Sequence, residues 1–117
     1  MSISWGRRTR FRFEFAGEDS RCTLPPGTPA VYAITYKQDA VNKPKSHTVL
    51  YFGESADLSK EIHERCRDIK ETWLNTGGRE TELYVFYHPM PSSTLWQRTS
   101  IQSQLESEYD PPVSSNN

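Results

Sequence analysis

Between Tyr51 and Trp73 the chain changes its hydrophobic period, and that change limits what it can fold into. Val49, Leu50, Tyr51 and Phe52 form a short apolar run that stops at Gly53. Leu58, Ile62, Cys66, Ile69 and Trp73 then recur at spacings of four, four, three and four, which is one face of an α-helix. Asp57 or Ser55 is placed to cap that helix. Glu61 falls in its first turns, where the helix dipole favours an anion. A strand running through a glycine into a helix start exposes backbone donors where a phosphate can sit. The same pattern also serves as a plain strand–turn–helix in a core.

The rest of the chain falls into line around this unit. Phe11, Phe13 and Phe15 alternate with Arg12 and Glu14, the period of a half-buried strand. Gly17 to Pro29 is rich in Gly, Pro and short polar residues and is expected to be a loop. Ala30 to Tyr36 is a β-rich run, predicted to be a central strand. The polar stretch Lys37 to His47 joins it to a strand from Thr48 to Phe52, most simply as an antiparallel hairpin. Asn75-Thr76-Gly77-Gly78 ends the first helix, and Thr81 to Tyr87 alternates as a strand. Thr94 and Gln97 form a capping box for a second helix, whose face carries Leu95, Arg98, Ile101, Gln102, Leu105 and Tyr109. Asp110-Pro111-Pro112 stops it, because proline lacks the amide hydrogen and clashes with the preceding turn. Val113 to Asn117 reads as a frayed tail.

Composition narrows the function classes. With 117 residues and 34 % hydrophobic side chains there is room for one lean core, and three Trp, six Tyr and five Phe supply much of it. The net charge of −1 excludes a general polycation, so nucleic-acid binding needs a local basic patch. Arg7, Arg8, Arg10 and Arg12 are such a cluster: either a phosphate-contacting edge or a solvated strand face that discourages aggregation. Cys22 and Cys66 have neither metal-ligand spacing nor the number for a disulfide framework. No apolar run reaches membrane-span length and the N-terminus shows no secretory segment, so a cytoplasmic protein with reduced thiols and no membrane partner is expected.

The order of elements, with these residues at its joints, resembles the GIY-YIG nuclease domain. Ala30-Val31-Tyr32 matches its first half-motif, with Ala in place of Gly. Tyr51-Phe52-Gly53, followed by Glu54-Ser55 and Asp57-Leu58, matches the second. Arg98, Ile101, Leu105, Tyr109, Pro111 and Pro112 resemble the closing helix and its following turn. The resemblance spans about residues 28–113, leaving 1–27 as an N-terminal strand-and-loop extension and 114–117 as a flexible tail. It implies an α/β (α+β) fold, with a small, mostly antiparallel sheet flanked by helices. It also implies hydrolysis of a DNA phosphodiester with one divalent metal, Mg²⁺ or Mn²⁺. Tyr32 and Tyr51 would line the site, Gly53 would allow close backbone approach, and Arg98 would lie nearby.

Two positions depart from that pattern. The family has an arginine eight residues past the second-motif glycine, and this chain has Glu61. The family has a metal-binding glutamate on the closing helix, and this chain has Gln102. Mg²⁺ is normally held by carboxylate oxygen with waters and substrate phosphate, and a neutral amide is a poor replacement. A unit charge at about 4 Å is worth roughly 4 kcal/mol at an effective dielectric of about 20, so a reversed sign at position 61 is costly. About 1.4 kcal/mol is tenfold in rate, which puts the loss on the order of a thousandfold or more.

Arg65 lies one helical turn after Glu61, and Glu106 one turn after Gln102. The displaced pair either rebuilds the site, with Glu106 as substitute metal ligand, or is surface charge, with Glu61 and Arg65 as an i, i+4 ion pair. His63 on the same helix is either a phosphate donor or base, or an exposed structural residue. Three functions follow. The first is a GIY-YIG-like domain with a degenerate site that binds DNA or other nucleic acid with little or no cutting, using Gly53, Arg98, Arg8, Arg10 and Arg12. The second is a metal-dependent endonuclease with a rearranged site, using Tyr32, Tyr51, His63 and Arg65. The third is a protein-interaction module built on the basic N-terminal strand and the aromatic strand at Leu83–Tyr87.

Overall fold

A computed structural model describes residues 1–113. Five strands and two helices follow in the order β1 (Ser2–Trp5), β2 (Phe11–Glu18), β3 (Ala30–Tyr36), β4 (Thr48–Ser55), α1 (Leu58–Asn75), β5 (Tyr84–Pro89) and α2 (Leu95–Tyr109). The fold is α+β. One sheet has the order β1-β2-β5-β3-β4, and all its neighbours are antiparallel. β5 sits between the two hairpins, pairing with β2 on one side and β3 on the other. It therefore makes one sheet of the N-terminal hairpin and the β3–β4 hairpin.

Each sheet face has its own core. On one face α1 lays Leu58, Ile62, Cys66 and Ile69 against Tyr32, Ile34, Leu50 and Tyr51. On the other, α2 lays Leu105, with Ile101 and Tyr109, against Val31, Ala33, Phe52 and Phe86. Trp5 and Phe13 of the N-terminal hairpin join this second core, their rings edge to face at 5.1 Å. Burying each such side chain stabilises the fold by about 1.5–3 kcal/mol.

Several boundaries differ from the sequence expectation. Ser2–Trp5 is a second strand of the N-terminal extension, beside the one read from Phe11, Phe13 and Phe15. β4 continues through Gly53 to Ser55 because Gly53 stays paired with Tyr32. β5 begins at Tyr84 rather than Thr81, although Leu83 is fully buried and its carbonyl accepts the Asp19 amide. Leu95, expected on the packed face of α2, is its first residue and is 59 % exposed. Val113 is buried and donates its amide to the Leu50 carbonyl, so it is not frayed. Residues 114–117 of the expected tail lie outside the described residues.

The capping of α2 is as expected: Thr94 Oγ accepts the Gln97 amide at 3.2 Å, and Gln97 Oε1 accepts the Thr94 amide at 2.8 Å. At α1 the N-cap is Asp57, but its carboxylate does not cap the helix amides. It accepts instead from Ser59 Oγ and the Gly27 amide, tying the loop before β3 to the start of α1. Among the described residues, no helix is long and apolar enough to cross a membrane.

Candidate functional site

A β-bulge creates the site. In the β3–β4 ladder Ile34 faces Tyr51 while Thr35 faces Val49, so Leu50 is an extra residue on β4. The extra residue shifts the parity of the strand. Tyr51 thereby joins Leu50 on the α1 face, the face that already carries Tyr32 and Ile34. Tyr32 and Tyr51 become diagonal neighbours with ring centroids 5.9 Å apart. Gly53, directly opposite Tyr32, completes the arrangement. A Cβ there would lie 2.4 Å from Tyr32 Cζ and 2.5 Å from its hydroxyl oxygen. The close approach that Gly53 allows is thus that of the Tyr32 ring.

These two phenols open into a cleft of about 390 Å³ between the helices, lined by Tyr32, Tyr51, Glu54, Arg65, Thr99, Gln102, Ser103 and Glu106. Four elements contribute. Arg65 flanks the buried stripe of α1, and Thr99, Ser103 and Glu106 recur on one face of α2. Burial pushes both phenols above their ordinary value, Tyr32 furthest. The two hydroxyl groups are within hydrogen-bonding reach of each other. The Arg65 cation favours the ionised form of both, but burial outweighs it. At neutral pH both phenols are therefore protonated.

Glu54 is fixed in the cleft wall. Arg98, only 5 % exposed, donates Nε to Glu54 Oε2 at 2.9 Å and Nη1 to the Ser93 carbonyl at 2.8 Å. The arginine expected near the site is thus spent on holding a carboxylate in it. Gln102 is also committed: its amide Nε2 donates to the Phe52 carbonyl at 3.2 Å, across the open edge of β4. A carboxylate cannot donate that hydrogen bond at neutral pH, which gives the amide at position 102 a structural reason.

The remaining predicted residues lie elsewhere. His63 is exposed, its Nδ1 3.2 Å from the Asp19 carbonyl, so it faces the loop after β2 and not the cleft. Arg8 and Arg10 lie in the β1–β2 turn, held on the other flank of α2 from the cleft, and Arg12 lies on β2, separated from β3 and β4 by β5. Glu61 and Arg65 do not close a salt bridge; those among the described residues are Arg21–Glu18, Lys60–Asp57, Lys70–Glu80 and Arg98–Glu54. Glu61 acts at longer range on Tyr32 and Arg65. Glu54 was read only as part of the second half-motif, with no role at the site, and Thr99 and Ser103 were not singled out in the sequence. Glu54 follows Gly53 directly, but nothing local announces its partner 44 positions away.

In comparisons with known proteins, no family model, no curated protein and no solved structure matches this chain. The chemistry of the cleft must be read from its own residues. It holds one cation and two carboxylates, with one carboxylate neutralised by Arg98. Glu61 adds a negative charge close by. The oxygens of Glu106 and Gln102 are hard donors of the kind that Mg²⁺ and Mn²⁺ prefer. Among the described residues, no three His, Cys, Asp or Glu side chains form a cage for a metal. A cation here would depend on Glu106, waters and an incoming phosphate, an arrangement usual for Mg²⁺.

Proposed function

We propose that the chain is a GIY-YIG-type domain that acts on a nucleic-acid phosphodiester through a site displaced by one helical turn on each helix. The observation that carries this reading is the cleft itself. Arg65 and Glu106, each one turn beyond the positions where the expected charges are missing, line it together with Tyr32 and Tyr51. Arg65 offers a guanidinium to phosphate oxygens, whose charge must be balanced as the phosphorus is attacked. Tyr51, beside Tyr32 in the cleft lining, offers a neutral hydroxyl to the same group. Glu106, with Gln102 beside it, would hold Mg²⁺ or Mn²⁺, which supplies the positive charge that a phosphate needs in a cleft otherwise poor in it.

The experiment is nicking of supercoiled plasmid by the full chain with Mg²⁺ or Mn²⁺. The parent is expected to nick, and EDTA to stop it. Glu106→Ala is expected to abolish the activity, and Arg65→Ala to lower it about 100-fold or more, the usual cost of losing one transition-state donor. Nicking unchanged in Glu106→Ala would end this reading. Binding without nicking would leave a domain that holds nucleic acid and does not cut. That second reading is favoured by the commitment of Gln102 to the Phe52 carbonyl and by Glu61 beside Arg65.

A further inference from the structure

The formal charge of this chain is divided very unevenly. Its first 13 residues contain Arg7, Arg8, Arg10 and Arg12 and no acidic side chain, so residues 14–117 carry −5 of a total of −1. The four arginines sit on β1–β2 and the turn between them, and all four are exposed. Among the described residues none of them closes a salt bridge. Arg10 Nη2 donates to the Ser4 carbonyl at 3.2 Å and Arg12 Nε to Ser2 Oγ at 3.2 Å, which orders these side chains without neutralising them.

The turn is clamped to α2. The Gly6 amide donates to the Tyr109 hydroxyl at 2.8 Å, and the Arg7 amide to Glu108 Oε1 at 2.8 Å. The Arg8 amide donates to Glu108 Oε2 at 3.3 Å, and Gln104 Nε2 donates to the Thr9 carbonyl at 3.3 Å. Arg7 stacks over the Tyr109 ring at 5.3 Å. Glu108 thus accepts from the Arg7 and Arg8 backbone amides and from Gln104, while the Arg8 and Arg10 side chains stay exposed. Gln104 and Glu108 stand on one flank of α2, and Thr99, Ser103 and Glu106 on the flank that lines the cleft. The helix between is about 10–12 Å across with its side chains.

We infer that the clamped β1–β2 turn is a second contact for the nucleic-acid backbone, with Arg8 and Arg10 binding phosphates that lie across α2 from the one in the cleft. The choice of polyanion rests on the function proposed for the cleft. Duplex DNA carries a charge about every 1.7 Å of helix axis, both strands counted, so a duplex with one phosphate in the cleft presents further phosphates over that width. An anionic membrane fits less well. The tip from Gly6 to Arg10 has no large apolar side chain to enter a bilayer interface.

The test is fluorescence anisotropy of a labelled mixed-sequence 20-base-pair DNA with the full chain, between 50 and 200 mM salt. The double variant Arg8→Gln/Arg10→Gln is expected to bind more weakly and to lower the slope of log K against log salt by about two. The parent's advantage then shrinks about tenfold over that range. Arg8→Lys/Arg10→Lys is expected to restore the slope, and both variants to keep the parent's melting temperature. An unchanged slope in the Gln variant overturns the inference, as does parent binding to phosphatidylserine vesicles but not to DNA. Arg65→Ala separates the two proposals. If it alone weakens binding, the cleft reading stands and the turn does not. If only the arginine pair matters, the turn stands and the cleft reading fails.

Discussion

The cleft and the basic turn lie on opposite flanks of α2 and are built in opposite ways. Four elements that are distant in sequence assemble the cleft. Its phenols are buried, and its charges are largely balanced against one another. Five consecutive residues make the turn, its guanidinium groups are exposed, and its backbone, not its charge, is what the fold holds. The difference separates two tasks. A site for chemistry needs groups with fixed positions and protonation states, which demands burial and partners. A site for affinity to a polyanion needs charge on display, which burial would remove. If the two regions work in this divided way, variants of one should leave the other intact, since distant sites with no shared partner behave additively.

Arg98→Met is the strongest way to break the cleft side of this comparison. It removes the partner of Glu54 and leaves a largely buried carboxylate facing the emptied place. The expected cost is about 3 kcal/mol, the low end for breaking a buried pair because Glu54 keeps some solvent access. Urea denaturation measures it. The slope of DNA binding against salt should stay at the parent value, because no phosphate contact of the turn is touched. A stability loss below about 1 kcal/mol would mean that the pair behaves as a surface ion pair.

Gly53→Ala is expected to cost somewhat less, about 2 kcal/mol, through overpacking. The added methyl would meet the Tyr32 ring, so the ring must shift from its place beside Tyr51. An alkaline titration of tyrosine absorbance gives a second readout. Burial raises the Tyr32 phenol above the ordinary value near 10, so the folded state binds its proton more tightly than the unfolded chain does. That contribution is fully present below about pH 10 and is lost as pH rises. Tyr32→Phe should therefore flatten the fall in stability above pH 10.

These two variants also mark where the sequence stops being readable. Both helices, the β3–β4 hairpin and the Thr94–Gln97 capping box follow from local period and local polar groups. So does the buried stripe Leu58, Ile62, Cys66 and Ile69. Tyr32, Tyr51, Arg65, Gln102 and Glu106 could be marked as site candidates because they stand at fixed offsets along those elements. What brings them together is not local. The bulge at Leu50 that turns Tyr51 to the α1 face leaves no sign in the run Val49 to Phe52, since all four residues are apolar. Arg98 and Gln102 are polar residues one turn apart on α2, and only the fold shows that they are buried for their hydrogen bonds. β1 was missed for another reason. Four residues are too few to establish a period, and Ile3 and Trp5 gain their meaning from the pairing with Phe13 and Phe11.

The smallest expected effect concerns the clamp on the turn. The Glu108 carboxyl is held below its ordinary value, first by the Arg7 amide and then by that of Arg8. A depressed carboxyl contributes stability above its unfolded value, and the contribution is lost as pH falls through the folded value. The clamp should therefore be intact at pH 6 and loosen in acid. Hydrogen exchange at the Arg7 and Arg8 amides can follow it, once corrected for the intrinsic pH dependence of exchange. Protection is expected to fall between pH 5 and pH 3 in the parent. In Glu108→Gln it is expected to be lower at pH 6 and nearly flat over the same range. The guanidinium groups keep their charge throughout, so Glu108→Gln should weaken DNA binding only slightly and leave the salt slope unchanged. The clamp orders the turn, and ordering it in advance spares the entropy of fixing it on binding. A slope change as large as that of the arginine pair would mean that Glu108 controls how many phosphates the turn reaches, and then the turn and α2 could not be treated as separate parts.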